Sequence, residues 1–405
     1  MAAATVRSNA ADLEPLIRLC RQGKLFEVQE WIRDGRPIAL SAEMSRKTPK
    51  RNPLRTAIDE GFHSLVQVLL DAGCPTTVGN YRALDHAVEL RRADLAALLV
   101  SHGADVREVS MTFVLEMWDS DMVELFLSNG ASLHRGNPVA LALIYKMRPA
   151  LGLLKRYPDD PGIRKQGCMA LRYHASEGNQ KWVALLLWAG ADPWARGPYR
   201  PEELDSDPDD EQDDPSAMEL ASYRGKLEIF GLKKITAAVT SNPQAAAILI
   251  PAACVSSESD LLAWLLDHGL RPDVLEDRGS LAICNLLQSM SCEIPTAFDH
   301  SWNPSRRGID SSRAMEKMKM IHMLVSNGAK WMPTDKQQMG AARRSLLMMA
   351  PGYVVEFVWL MQRYQACSRK DIETLLGTPA MEKLMANERT RLAALARSLP
   401  ESSMS

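Results

Sequence analysis

The sequence has no surplus of charge of either sign: 48 lysines and arginines stand against 50 aspartates and glutamates, a formal net charge of −2. A balance that close steers the chain neither to nucleic acid nor to an anionic membrane surface. Cysteine is sparse: seven, at positions 20, 74, 168, 254, 284, 292 and 367, with no Cys-x-x-Cys. Such a scatter offers neither a disulfide framework nor a thiolate zinc site, and it points to reduced thiols in the cytoplasm. The N-terminal residues Met1 to Asn9 lack the apolar stretch of a secretory signal. The longest uncharged run, residues 235–257, is broken by Thr236, Thr240, Asn242, Pro243, Gln244 and Pro251, and no membrane span is expected there. G-x-S-x-G, a P-loop, H-E-x-x-H and G-x-G-x-x-G are all missing. The eight histidines lie far apart, and His102 and His268 directly precede Gly103 and Gly269, where a helix C-terminus favours a cation. No enzyme, metal site or cofactor is expected.

What the chain does have is a repeat. With 46% hydrophobic and 24% charged residues it has the composition of a folded protein. Asn52-Pro-Leu-Arg-Thr-Ala-Ile-Asp-Glu-Gly61 is followed by Phe62-His-Ser-Leu-Val-Gln-Val-Leu-Leu-Asp-Ala-Gly73, two short apolar segments closed by glycines twelve residues apart. Leu84-Asp-His-Ala87 leads in the same way to Gly103, and Leu171-Arg-Tyr-His-Ala175 leads through Gly178 to Gly190. Met218 to Gly225 supplies another first segment. Each unit reads as helix, turn, helix: proline suits a first helical turn, and glycine past the end of a helix takes a positive φ. Small residues in the first helices (Ala57, Ala87, Ala142, Ala175, Ala221 and Ala253) are expected to let neighbouring helices approach closely. Cys20, Cys254 and Cys284 hold the next position as packing residues. Leu69, Leu98 and Leu186 are expected to be buried between stacked units, each supplying about 2–5 kcal/mol.

Asn52-Pro-Leu-Arg-Thr-Ala57 and Asn137-Pro-Val-Ala-Leu-Ala142 resemble the ankyrin repeat, whose signature T-P-L-H-x-A opens a unit of about 33 residues. Weaker copies begin at Glu14-Pro15-Leu16 and run through Met111–Gly130, Ile250–Gly269, Leu281–Gly328 and Leu346–Met361. The resemblance implies an all-α solenoid of about ten degenerate ankyrin-like helix-turn-helix repeats, capped by a C-terminal helical segment. In that division residues 1–11 are an N-terminal tail, 12–365 the repeat array, 366–399 the helical cap and 400–405 a tail. The connections Gly73–Leu84, Gly103–Met111 and Gly130–Val139 are short, so the β-hairpin fingers usual in the family are expected to be stunted. Two insertions, 194–216 and 289–312, interrupt the array.

The first insertion holds nine carboxylates between Glu202 and Asp214. Its Asp205-x-Asp207-x-Asp209 lacks the glycine and closing glutamate of a calcium loop, so it reads as a solvated acidic loop or a dock for a basic partner. The basic run Arg46–Arg51 has no interleaved aromatics and reads as a solvated loop, so no nucleic-acid binding is expected. Thirteen of the 21 methionines lie from residue 290 onward, where they read as gap fillers in degenerate repeats.

The resemblance also implies a binding surface, since in the ankyrin family the two residues before the inter-helix glycine face a concave groove. Those positions are Asp59 and Glu60, Glu89 and Leu90, Glu116 and Met117, Ile144 and Tyr145, Ser176 and Glu177, and Tyr223 and Arg224. The row is mostly acidic with two tyrosines. A non-catalytic adaptor or regulator is expected, binding a protein partner with a basic surface. An effector acting on host proteins through the same face, or an enzyme with a site on the insertions near Asp299 and His300, are the alternatives.

Overall fold

The structure is a computed structural model that describes residues 7–8, 10–40, 52–199, 214–256, 258–272, 282–283, 286–287, 311–329, 357–361 and 363–366. The acidic stretch 202–213, the basic run 46–51, the cap 367–399, both extreme tails, Asp299, His300 and Cys284 lie outside the described residues. The described chain is mainly α-helical, helix packed on helix, and it separates into two compact units, Met1–Ala170 and Leu171–Ser405.

In the first unit the helices come in pairs. They are α1 (Ala10–Arg21) and α2 (Leu25–Arg33), α3 (Pro53–Asp59) and α4 (His63–Asp71), then α5 (Ala83–Glu89) and α6 (Ala93–Ser101). After them come α7 (Met111–Met117) and α8 (Ser120–Ser128), and α9 (Pro138–Ile144) with the one-and-a-half-turn α10 (Leu151–Arg156). First helices pack in series, α1 on α3 on α5 on α7 on α9, and second helices likewise, α2 on α4 on α6 on α8. Their apolar spacing explains the choice of face: Leu65, Val66, Leu69 and Leu70 are buried on α4, as are Leu95, Ala96 and Leu99 on α6.

Leu98 is only half-buried, whereas Leu99 is fully buried. The burial register counts back four residues from the closing glycine, which selects Leu69, Leu99 and Leu186. The amide after each of those glycines bonds back to that residue's carbonyl: Cys74 to Leu69, Ala104 to Leu99, Ala191 to Leu186. This closure requires the left-handed backbone that Gly73 adopts, with φ of 82°. Four second helices, α2, α4, α6 and α8, are nine residues long.

The turn inside each pair is also left-handed, but glycine is not always there. Gly61 has φ of 73°, while Arg91 and Lys146 hold the equivalent turns at 55° and 66°. Gly61 has a second reason to lack a side chain, because a Cβ there would run into the Arg92 guanidinium. Arg92 Nη2 donates to the Gly61 carbonyl at 3.3 Å. Phe62 lies over Gly23 in the same way, its ring 3.0 Å from where a Cβ would stand.

Two short ladders complete the unit. Strand β1 (Arg7–Ser8) pairs in parallel with β2 (Ala39–Leu40), and β3 (Thr77–Val78) pairs antiparallel with β4 (Tyr81–Arg82) around Gly79 and Asn80. The second is the reduced hairpin between Gly73 and Leu84, and residues 106–108 form a single 3₁₀ turn in the next connection. Ordered structure thus starts ahead of residue 12: α1 begins at Ala10, and Pro15, expected to open it, lies within it.

The two Asn-Pro starts differ. Asn52 caps α3 locally, its Oδ1 accepting from the amides of Leu54 at 2.9 Å and Arg55 at 3.4 Å. Asn137 is left-handed and makes no side-chain cap. The amides of Val139 and Ala140 instead donate to Oε1 of Gln166, at 2.8 and 3.1 Å, and Gln166 Nε2 donates to the Leu133 carbonyl at 2.7 Å. Gln166 sits on α11 (Pro161–Ser176), the helix within which the first unit ends.

The second unit continues α11 into α12 (Gln180–Trp188), α13 (Ala217–Tyr223), α14 (Leu227–Phe230), α15 (Lys233–Ser241), α16 (Ala245–Ser256), α17 (Ser259–Asp267) and α18 (Ser311–Ser326). Residues 311 and 312, read as insertion, open α18. Ser216 and Glu219 form a reciprocal capping box at the start of α13, and Arg196 pairs with Glu219 at 2.5 Å. α13 packs on α16, α16 on α17 and α17 on α18. Second helix α14 is only four residues long and gives way to α15. Ala221 and Ala253 are fully buried as expected of the small row. In α11, however, the row belongs to His174, not Ala175, because the Asn179 amide bonds to the His174 carbonyl as Lys226 does to Ala221. The buried imidazole stacks on Trp182 with ring centroids 5.3 Å apart.

Among the described residues no single helix is long and apolar enough to cross a membrane; α15 and α16 pass that test only together, and they are bent by 118°.

Candidate binding surface

The surface is built at the ends of the first helices. Each of these helices buries the face three and four residues before its turn, so the one or two residues directly before the turn are left outward. Asp59 and Glu60, Glu89 and Leu90, Glu116, and Tyr145 are exposed in the first unit, with Met117 half-buried. Leu90 is 40% and Tyr145 60% exposed, large fractions for side chains of this kind. Ile144 is buried. Glu177, Tyr223 and Arg224 are exposed in the second unit, while Ser176 is buried.

The acidic residues are not equivalent. His86, on α5 and buried, reaches Asp59 Oδ1 of α3 with Nε2 at 2.5 Å and Glu89 Oε2 with Nδ1 at 3.3 Å. Arg55 Nε lies 3.8 Å from the other oxygen of Asp59, and its guanidinium stands 5.6 Å from the centre of the Tyr81 ring. Tyr81 presents its edge to His86 at 6.1 Å. Burial pushes the Tyr81 phenol above its ordinary value, and its hydroxyl has no hydrogen-bond partner among the described residues. Asp59 and Glu89 are therefore gathered by one imidazole, and Glu60 and Glu116 are the carboxylates left to solvent in this unit's part of the row. No expectation from the sequence falls on His86. The signal was present, since His86 is three residues from Glu89, on one helix face, and 27 residues from Asp59, close to one repeat.

Three of the described thiols are unreactive. Burial pushes the thiols of Cys20 and Cys74 up to about 12 and raises Cys254 as well, which leaves them protonated and unreactive at neutral pH. Asp94 is held at about 2 chiefly by its hydrogen bond from Arg92. Among the described residues no three histidine, cysteine, aspartate or glutamate side chains are placed to share a metal ion. No protein-family model matches the sequence, and no curated protein matches it either.

Proposed function

We propose that this chain is a solenoid of degenerate ankyrin-like repeats that binds a protein partner without catalysis, acting as an adaptor or regulator. The reading rests on apolar side chains, exposed at Leu90 and Tyr145 and half-buried at Met117, held at the ends of consecutive packed helices. Leu90, Met117 and Tyr145 end α5, α7 and α9, with Glu60 and Glu116 beside them. Aromatic and aliphatic side chains of this kind anchor interfaces when a partner buries them, and flanking carboxylates favour a partner with basic side chains around its apolar contacts. Within the second unit, taken by itself, the exposed Glu177, Tyr223 and Arg224 hold the corresponding places before a turn and are proposed as contacts of that unit. The left-handed turns twelve residues apart, with nine-residue helices between them, support the repeat assignment. The Asn52-Pro53 start and the reduced hairpin at residues 77–82 support the ankyrin likeness.

The test is capture of partners from the source cells by the full chain and by a Leu90→Asp/Tyr145→Ala variant, followed by mass spectrometry. A protein retained by the first and lost by the second, with association slowing as salt rises, supports the row. A partner held equally by both moves the binding surface elsewhere.

A further inference from the structure

The contact between the second and third helix pairs carries two histidines, and both lie in the same chemical situation. His86 on α5 stands between two carboxylates, Asp59 of the preceding pair at 2.5 Å from Nε2 and Glu89 at 3.3 Å from Nδ1. His102, at the C-terminus of α6, stands between its own helix's Leu98 carbonyl, 2.9 Å from Nδ1, and Asp71 of the preceding pair, 3.0 Å from Nε2. Ionised carboxylates and carbonyls only accept, and a neutral imidazole has one N–H. A neutral ring can satisfy one of its two acceptors; the imidazolium satisfies both. We propose that the joint between these helix pairs is a pH-sensitive latch, in which His102 bridges to Asp71 of the preceding pair as imidazolium and slackens when neutral, beside the link that His86 makes between Asp59 and Glu89.

Two positions on one joint matter more than either alone. Asp59 ends α3 and Asp71 ends α4, so the latch fastens both helices of one pair to both helices of the next. The groups around each ring are few. From α3, His86 is faced by Asp59, with Arg55 behind it; from β4 by the Tyr81 ring; and from α5 itself by Glu89. From α4, His102 is faced by Asp71, and from α6 by Ser101 at 3.3 Å. Among the described residues, neither α6 nor α7 makes an ion pair or hydrogen bond to His86, and α8 makes none to His102. The Asp71 hydrogen bond, then the Leu98 carbonyl, raise the His102 imidazole above its ordinary value. For a group raised on folding, the stabilisation is complete below the unfolded value of about 6.5 and is lost as pH climbs through the folded value. The latch is therefore tight in mild acid and loosens toward alkaline pH, opposite to an arginine–carboxylate pair, which is lost when acid protonates the carboxylate. This holds whether or not the exposed row binds a partner.

Hydrogen exchange of the full chain, measured at pH 6 and pH 8 and corrected for intrinsic exchange, is the test. Protection of the amides in 53–71 and 83–103 is expected to fall at least about threefold at the higher pH, more than in 217–267. In a His86→Gln/His102→Gln variant that difference between the two pH values is expected to vanish. A wild-type chain equally protected at both, or a double variant that keeps the full drop, overturns the latch. Should the double variant not fold, Asp71→Asn alone decides it by imidazole nitrogen NMR: His102 must lose its proton at lower pH than in the wild type, and an unchanged midpoint rejects the proposal.

Discussion

Helices α3 and α9 start with the same dipeptide, Asn-Pro, and are held in opposite ways. At α3 the cap is local: Asn52 is extended and its own side chain receives the first free amides. At α9 the backbone of Asn137 turns left-handed, its side chain is withdrawn from the cap, and Gln166 substitutes from a helix that begins 24 residues later. The difference teaches that a short motif fixes where a helix starts but not what completes it. A helix of seven residues has four unpartnered amides at its start, a large share of its backbone, so the source of the cap decides which other elements it depends on. α3 can form with its own residues; α9 depends on α11.

The comparison can be broken at several points, and one core substitution calibrates the scale. Leu99→Ala should cost about 2–5 kcal/mol in chemical denaturation, because the residue is fully buried, and Leu98→Ala should cost about 1 kcal/mol or less. Equal losses would mean the burial register is wrong. Gln166→Ala comes next, at about 2–4 kcal/mol, since it strands the Val139 and Ala140 amides and the Leu133 carbonyl in a buried place. Hydrogen exchange should localise that loss to α9 and leave α3 protected. Asn52→Ala should cost about 1 kcal/mol, with faster exchange at Leu54 and Arg55 and none of it at α9. The smallest effect is expected at Asn137→Gly, neutral to stabilising within about 1 kcal/mol in a thermal melt, because the backbone is already left-handed and no cap is lost. A loss there as large as at Asn52 would mean that Asn137 caps after all.

Much of the helical architecture was legible in the sequence because glycine marks it twice per pair. A nine-residue helix closed by a left-handed turn needs no knowledge of its neighbours, so the spacing of Gly61 and Gly73 predicts it. What the spacing hides is any turn where glycine is replaced. Arg91 and Lys146 adopt the same backbone without a residue type that announces it. Leu98 and Ala175 differ in kind: their turns keep Gly103 and Gly178, and each lies one residue off the place four back from that glycine. Of the candidate surface, exposure of the outward pairs was legible from helix periodicity. Their electrostatic state was not, because Asp59 and Glu89 meet at His86 only once two repeats are stacked in a definite offset. Likewise no local pattern identifies Gln166 as the cap of a helix in the preceding pair.

The side chains that fold back over the turn glycines give the chain a direction in time. Phe62 covers Gly23 and Arg92 covers Gly61, and in the second unit Glu258 stands where a Cβ of Gly225 would. In each case the covering residue is made after the turn it covers, by 39, 31 and 33 positions. A chain emerging from the ribosome therefore presents each of these three turns bare and closes it only when the covering residue arrives. At these turns the growing end is the less finished part, and synthesis itself moves that unfinished edge along the molecule.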